Sequence, residues 1–94
     1  MFCPRGEGKT LVREGVVERD GELPCQLSGG PTAFAHPVGA TALLQTLFLY
    51  WELAGLIPDK FGESTLQLKN PKKALVTGHG GTGTQGGVIV YSRD

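Results

Sequence analysis

The stretch from Ser28 to Leu56 limits what this chain can become. It opens Ser28-Gly29-Gly30-Pro31-Thr32-Ala33-Phe34-Ala35-His36-Pro37-Val38-Gly39-Ala40-Thr41 and runs on into a nearly unbroken apolar segment. The segment predicts one long buried helix over about 38–56, opening near Pro37 or Gly39, since proline suits a first helical turn. It carries Leu43, Leu44, Leu47, Phe48, Tyr50, Trp51 and Leu53, and the glycine-to-proline passage Gly55–Pro58 ends it. That is roughly 27 Å of helix at 1.5 Å per residue. Thr41, Gln45, Thr46 and Glu52 are the polar interruptions. A helix apolar on every side belongs inside a larger assembly. It is too short and too interrupted for a membrane span, which takes about 20 apolar residues.

The glycine-rich segment ahead of it delivers His36 to the front of that helix. A helix N-terminus offers unpaired N–H groups and positive potential, a setting that suits a neutral group. A neutral imidazole accepts a proton or donates a hydrogen bond to a developing oxyanion. A loop histidine that caps a turn satisfies the same residues, and local sequence leaves both readings open.

The chain has 94 residues, one small domain's worth. Its net charge is zero and its basic residues are scattered, so nothing points to nucleic acid or an anionic membrane. Of fifteen glycines, nine gather in two stretches, 28–41 and 78–87, which argues for backbone-shaped sites. Cys3 and Cys25 make neither a metal spacing nor a disulfide framework, and a reduced cytoplasmic setting follows. Met1 to Gly8 contain no apolar core of a secretory leader. A core built from so few residues is modest, yet the main helix asks for apolar neighbours all round. The chain therefore is expected to oligomerise or to be one piece of something larger, a single partial domain over 1–94.

Residues 1–27 read as an irregular arm with one helical turn near Thr10–Glu14 and a turn at Asp20-Gly21. Pro58–Asn70 reads as a connector, with Asp59, Lys60, Gly62, Glu63 and Ser64 facing solvent and a brief alternation at Leu66 and Leu68. Two strands follow, about 72–77 and 87–92, the second rich in β-branched residues. A wide glycine loop, Gly78 to Gly86, joins them as an antiparallel pair. Both strands are continuously apolar, which suggests a sheet covered on both faces. The fold class is α/β.

Gly78-x-Gly80-x-x-Gly83 after a strand matches the dinucleotide fingerprint in part. The match fails: no helix opens at the third glycine, and Gly87 to Tyr91 is strand-like. The loop can still present backbone N–H groups to an anion. His79 within it is a second candidate polar group, or an exposed turn histidine. Cys3 and Cys25 fit small apolar fillers better than nucleophiles. Lys69, Lys72 and Lys73 fit a solvated face, with phosphate contact as the alternative. Tyr50 and Trp51 are most simply core residues.

These pieces resemble the C-terminal part of the thiolase superfamily, above all its sterol carrier protein X or lipid-transfer type. That family carries Asn-x-Ser-Gly-Gly and then Gly-His-Pro-x-Gly-Ala-Thr-Gly ahead of a long buried helix. Here stand Gln26-Leu27-Ser28-Gly29-Gly30 and Ala35-His36-Pro37-Val38-Gly39-Ala40-Thr41-Ala42. Gly6-Glu7-Gly8, Asp20-Gly21-Glu22-Leu23-Pro24 and Ala74-Leu75-Val76-Thr77-Gly78-His79-Gly80-Gly81 are similar to further family stretches in the same order. Gln26 replaces asparagine, and Ala35 and Ala42 replace glycines.

The resemblance implies a layer of a five-layer αβαβα sandwich. It implies that His36 activates a cysteine nucleophile and helps form an oxyanion hole for an acyl thioester. It implies that His79 stands in for the family's second cysteine. Gly78, Gly80 and Gly81, with Ser28, Gly29 and Gly30, would supply oxyanion or substrate contacts. The substrate would be a coenzyme A thioester, with no tightly bound cofactor and no metal. The nucleophilic cysteine belongs to sequence this chain does not contain. Two expectations follow. One is a C-terminal part or small subunit of an acyl-CoA C-acyltransferase, inactive alone and completed by a thiolase N-terminal half or homologous subunit; a retro-aldolase acting on coenzyme A thioesters is its close variant. The other is a non-catalytic interaction or lipid-carrier module on the same scaffold.

Overall fold

A computed structural model describes residues 2–62 and 66–94. The N-terminal arm holds α1 (Gly8–Arg13), a chain of turns and the short α2 (Gly30–Phe34). The main helix, α3, spans Thr41–Ala54, and α4 spans Ile57–Phe61. The chain closes with β1 (Lys73–Gly80) and β2 (Gln85–Ser92), an antiparallel pair in which Val76 faces Ile89 and Gly80 faces Gln85.

The α3 helix starts later than the apolar run suggests. Pro37 does not open it; the Pro37 carbonyl accepts the N–H groups of Ala40 (2.6 Å) and Thr41 (3.0 Å), closing a turn first. The helix stops where glycine permits a left-handed residue. Gly55 has φ 72°, its N–H donates to Glu52 O at 3.3 Å, and Leu56 N–H donates to Trp51 O at 2.8 Å. These paired bonds satisfy carbonyls that the last turn would leave bare.

The helix is not enclosed. Within α3 only Thr41, Glu52 and Leu53 are buried, whereas Leu43 is 72 % exposed and Tyr50 58 %. The expected buried helix is thus corrected to one that packs on β1 along a single stripe. The reason is arithmetic: a two-stranded ribbon and three short helices cannot cover a surface apolar on all sides. The expectation that Tyr50 is a core residue falls with it, and Trp51 is half-buried. The sheet covered on both faces is corrected too, since Val88, Ile89 and Val90 are all more than half exposed.

The apolar core among the described residues is Leu53, Ile57 and Val76, with Ile57 fully buried. A polar clamp stands beside it. Gln67 Nε2 donates to Glu52 O (2.9 Å), Glu52 Oε1 (3.3 Å) and Leu68 O (3.1 Å), and Gln67 Oε1 accepts from Ile57 N–H at 3.3 Å. Glu52 Oε1 also accepts from Leu68 N–H, while Glu52 Oε2 is buried without a partner. Aromatic rings close the other side: Phe61 lies 6.2 Å from Phe48 and 5.6 Å from Trp51, and Lys60 Nζ stands 5.9 Å from the Trp51 ring.

The connector is more structured than expected, because Pro58 suits the first turn of α4. The solvent-facing expectation for Glu63 and Ser64 lies outside the described residues. The wide glycine loop is corrected to a short turn. Gly78, His79 and Gly80 extend β1, Gln85 and Gly86 open β2, and Gly81–Thr84 alone turn the chain. Glycine lowers strand propensity without forbidding a ladder, and residues 81–83 all have positive φ (55°, 55° and 85°), so the reversal needs few residues.

Candidate functional site

His36 is exposed and sits just ahead of α3. Its Nδ1 lies 2.7 Å from Thr41 Oγ1, and Thr41 Oγ1 lies 3.3 Å from the Pro37 carbonyl. A hydroxyl has one hydrogen, and a carbonyl can only accept. Both contacts are hydrogen bonds in one arrangement of a neutral ring: Thr41 donates to Pro37 O, and His36 Nδ1–H donates to Thr41. The Nε2 lone pair is then free to take a proton. Thr41, buried at the helix start, is the residue that sequence reasoning missed. Its signal was position, four residues after Pro37 and so one helical turn above that carbonyl.

The backbone leading to His36 is unusual. Ala35 has φ 66° and ψ −177°, a region that is glycine's own, and Gln26 has φ 57°. Gln26 O accepts from Gly29 N–H at 2.8 Å, and Ser28 Oγ accepts from Gly30 N–H at 3.2 Å. Gly30 is buried with φ 60°, and a Cβ there would meet Gln26 Oε1 at 2.5 Å. Ser28, Gly29 and Gly30 thus shape the turn into α2.

The glycines of the hairpin leave a hollow of about 350 Å³ next to the head of α3. Ala42, Val76, Gly78, Gly80, Gln85 and Gly87 are among its lining residues, and so is His79. Ala42 adjoins Thr41, which holds His36, so the hollow and His36 share one end of the helix. Strand alternation fixes the face that His79 takes. Val76 is buried toward α3, so Gly78 and Gly80 lie on that same face, and His79 falls with Leu75 and Thr77 on the other. His79 lines the hollow, whereas His36 is not among its lining residues and is held at that end of α3 by its contact with Thr41, the neighbour of Ala42. Gly81 lies in the turn beyond.

A second depression, about 630 Å³ and almost wholly apolar, runs between α3 and β2. Leu43, Leu47, Tyr50 and Leu53 form its helix side, and Tyr91 and Arg93 its strand side. Tyr91 Oη and Thr46 Oγ1 are 3.2 Å apart, and Arg93 Nη1 donates to Leu53 O at 2.9 Å. Cys3 and Cys25 are free thiols, the latter donating to Leu23 O. Lys69, Lys72 and Lys73 are exposed, as a solvated face requires. Among the described residues no helix is long and apolar enough to cross a membrane.

The chain belongs to the thiolase C-terminal domain-like family, whose profile matches residues 1–93. It is 32 % identical over 92 residues to the acetyl-CoA acetyltransferase of Methanothermobacter thermautotrophicus, covering 98 % of this chain and 22 % of that protein. It is 43 % identical over 54 residues to sterol carrier protein 2 of Homo sapiens, covering 57 % of this chain and 10 % of that one. It is 29 % identical over 92 residues to the steroid side-chain-cleaving aldolase of Thermomonospora curvata, covering 98 % and 21 %. The chain therefore spans about a fifth or less of the length of these relatives. No solved structure matches it.

Proposed function

We propose that this chain is the histidine-bearing part of a thiolase-like acyl-CoA C-acyltransferase, inactive alone and completed by a polypeptide that carries the nucleophilic cysteine. The observation that carries the reading is the 2.7 Å contact of His36 Nδ1 with Thr41 Oγ1 at the head of α3, which leaves the Nε2 side of the ring for the reacting thiol. Acyl transfer of this kind needs a base that takes the thiol proton and a donor for the thioester oxygen. His36 Nε2 is the base. Backbone of Gly78, Gly80 and Gly81 borders the acyl position, and Ser28, Gly29 and Gly30 hold the loop that sets His36. His79 is assigned to proton exchange at the rim. The partner closes over the exposed side of α3, in an αβαβα sandwich and a cytoplasmic setting.

Surface area supports the need for a partner. The chain exposes 7179 Å², about 1,900 Å² more than a compact monomer of its mass. A standard interface takes about 800 Å² from each side, so the surplus suits an extensive, obligate one.

Mixing the chain with an upstream thiolase half and assaying thiolysis of a 3-oxoacyl-CoA tests this. Turnover above that of the upstream half alone is expected. His36→Ala should cost about 10²–10⁴-fold in kcat, and His79→Ala distinctly less. No gain on mixing overturns the reading.

The apolar depression favours a second reading, a non-catalytic lipid-carrier module. In that case a fluorescent fatty acid binds the chain alone, and His36→Ala changes nothing. The aldolase relative adds a variant of the first reading, retro-aldol cleavage of a coenzyme A thioester, which the same mixture distinguishes by its products.

A further inference from the structure

Alternation along the ladder singles out a side chain that the glycines themselves do not. Tyr91 reaches Thr46 on α3, and its cross-strand partner is Ala74, so Ala74, Val76, Gly78 and Gly80 share the α3-facing side. Their partners on that side are Tyr91, Ile89, Gly87 and Gln85. From the buried end outward the face reads Val76 with Ile89, then Gly78 with Gly87, then Gly80 with Gln85. Large side chains floor the hollow, and two glycines leave its middle open. A Cβ at Gly78 or Gly87 would meet nothing within 4 Å. Gln85 stands at the mouth, its Oε1 3.9 Å from the place a Cβ on Gly80 would occupy. Among the described residues its carboxamide has no hydrogen-bond partner.

We propose that Gln85 binds the first amide of the pantetheine arm of a coenzyme A thioester whose acyl end lies between Gly78 and Gly87. The inference rests on the acyltransferase reading above. A carboxamide offers one acceptor and two donor hydrogens and carries no proton to give away, so Gln85 binds and orients. A secondary amide is its natural complement, since each side supplies both a donor and an acceptor. A hollow of about 350 Å³ holds a small acyl thioester, and the arm leaves past Gln85 with the nucleotide outside.

The test is a nuclear magnetic resonance titration of the isotope-labelled chain with two probes. One is the acetyl thioester of N-acetylcysteamine, which has the amide. The other is an S-alkyl thioacetate of equal length, which lacks it. The amide probe should shift the Gly78, Gly80 and Gly87 backbone signals and the Gln85 side-chain NH₂ pair. Gln85→Ala should weaken the amide probe about five- to tenfold, the worth of a hydrogen bond, and leave the alkyl probe unchanged. Three results overturn the inference: no binding, equal affinity for both probes in the unsubstituted chain, or an equal loss of both in the variant. If turnover is nevertheless restored by the upstream half, the acyltransferase reading stands and only the role of Gln85 falls.

Discussion

Of the three residues at which this chain departs from the resembled pattern, Ala42 lies within α3, whereas Gln26 and Ala35 have positive φ. Backbone there costs a residue with a Cβ about 1–3 kcal/mol. Ala35→Gly should therefore raise stability by about 1 kcal/mol, or about 4–8 °C in Tm, read by a thermal melt. Thr41→Val makes the complementary prediction. The isosteric change removes the acceptor for His36 Nδ1–H and should cost about 1 kcal/mol. It should also replace a single imidazole tautomer with a mixture, seen in the ring nitrogen shifts. The histidine was legible in the sequence because the His36-Pro37-x-Gly39-Ala40-Thr41 string is distinctive. Its partner was not, since Thr41 read as a polar interruption until the turn at Pro37 placed it one turn above. The strain at Ala35 was visible only as a departure from a pattern, because backbone angles do not show in composition.

Among the elements, the Glu52–Gln67 clamp ties the end of α3 and the start of α4 to the connector ahead of β1. Burial pushes the Glu52 carboxyl above its ordinary 4.5, against the Leu68 N–H bond that pulls it down. The folded chain then holds that proton more tightly than the unfolded one. Its stabilisation is full below 4.5 and declines as pH rises through the raised folded value. Glu52→Gln should remove this slope while keeping an oxygen for Leu68 N–H, as parallel denaturant titrations across pH would show. The hairpin gives a second test. Gly78→Ala adds a methyl into open space, so the melt should hold while the thioester probe is excluded. Strand identity was legible from Val88 to Tyr91, whereas strand length was not. Glycines read as loop, yet a two-stranded ladder accepts them once a four-residue turn fixes its register. That same register put His79 on the face of β1 away from α3, a fact that spacing alone conceals.

For the molecule as a whole, an apolar core of Leu53, Ile57 and Val76 and a radius of gyration of 14.0 Å, against about 12.4 Å for a compact chain of this length, describe a body built to be covered. Leu47→Asp with Tyr50→Asp should leave the circular dichroism of the chain intact and abolish its complex with the upstream half, measured by sedimentation. The apolar helix alone led the sequence to expect this shortage of cover, to be made up by self-association or by a larger assembly. The ribbon of β1 and β2 adds something else. Among the described residues neither of its long rims pairs with a further strand, and Val88 to Tyr91 is uncharged, with Val88, Ile89 and Val90 β-branched. Left unaccompanied at high concentration, such a ribbon is a seed for fibrils, so thioflavin fluorescence should climb in stored samples and a lysine at Ile89 should delay it.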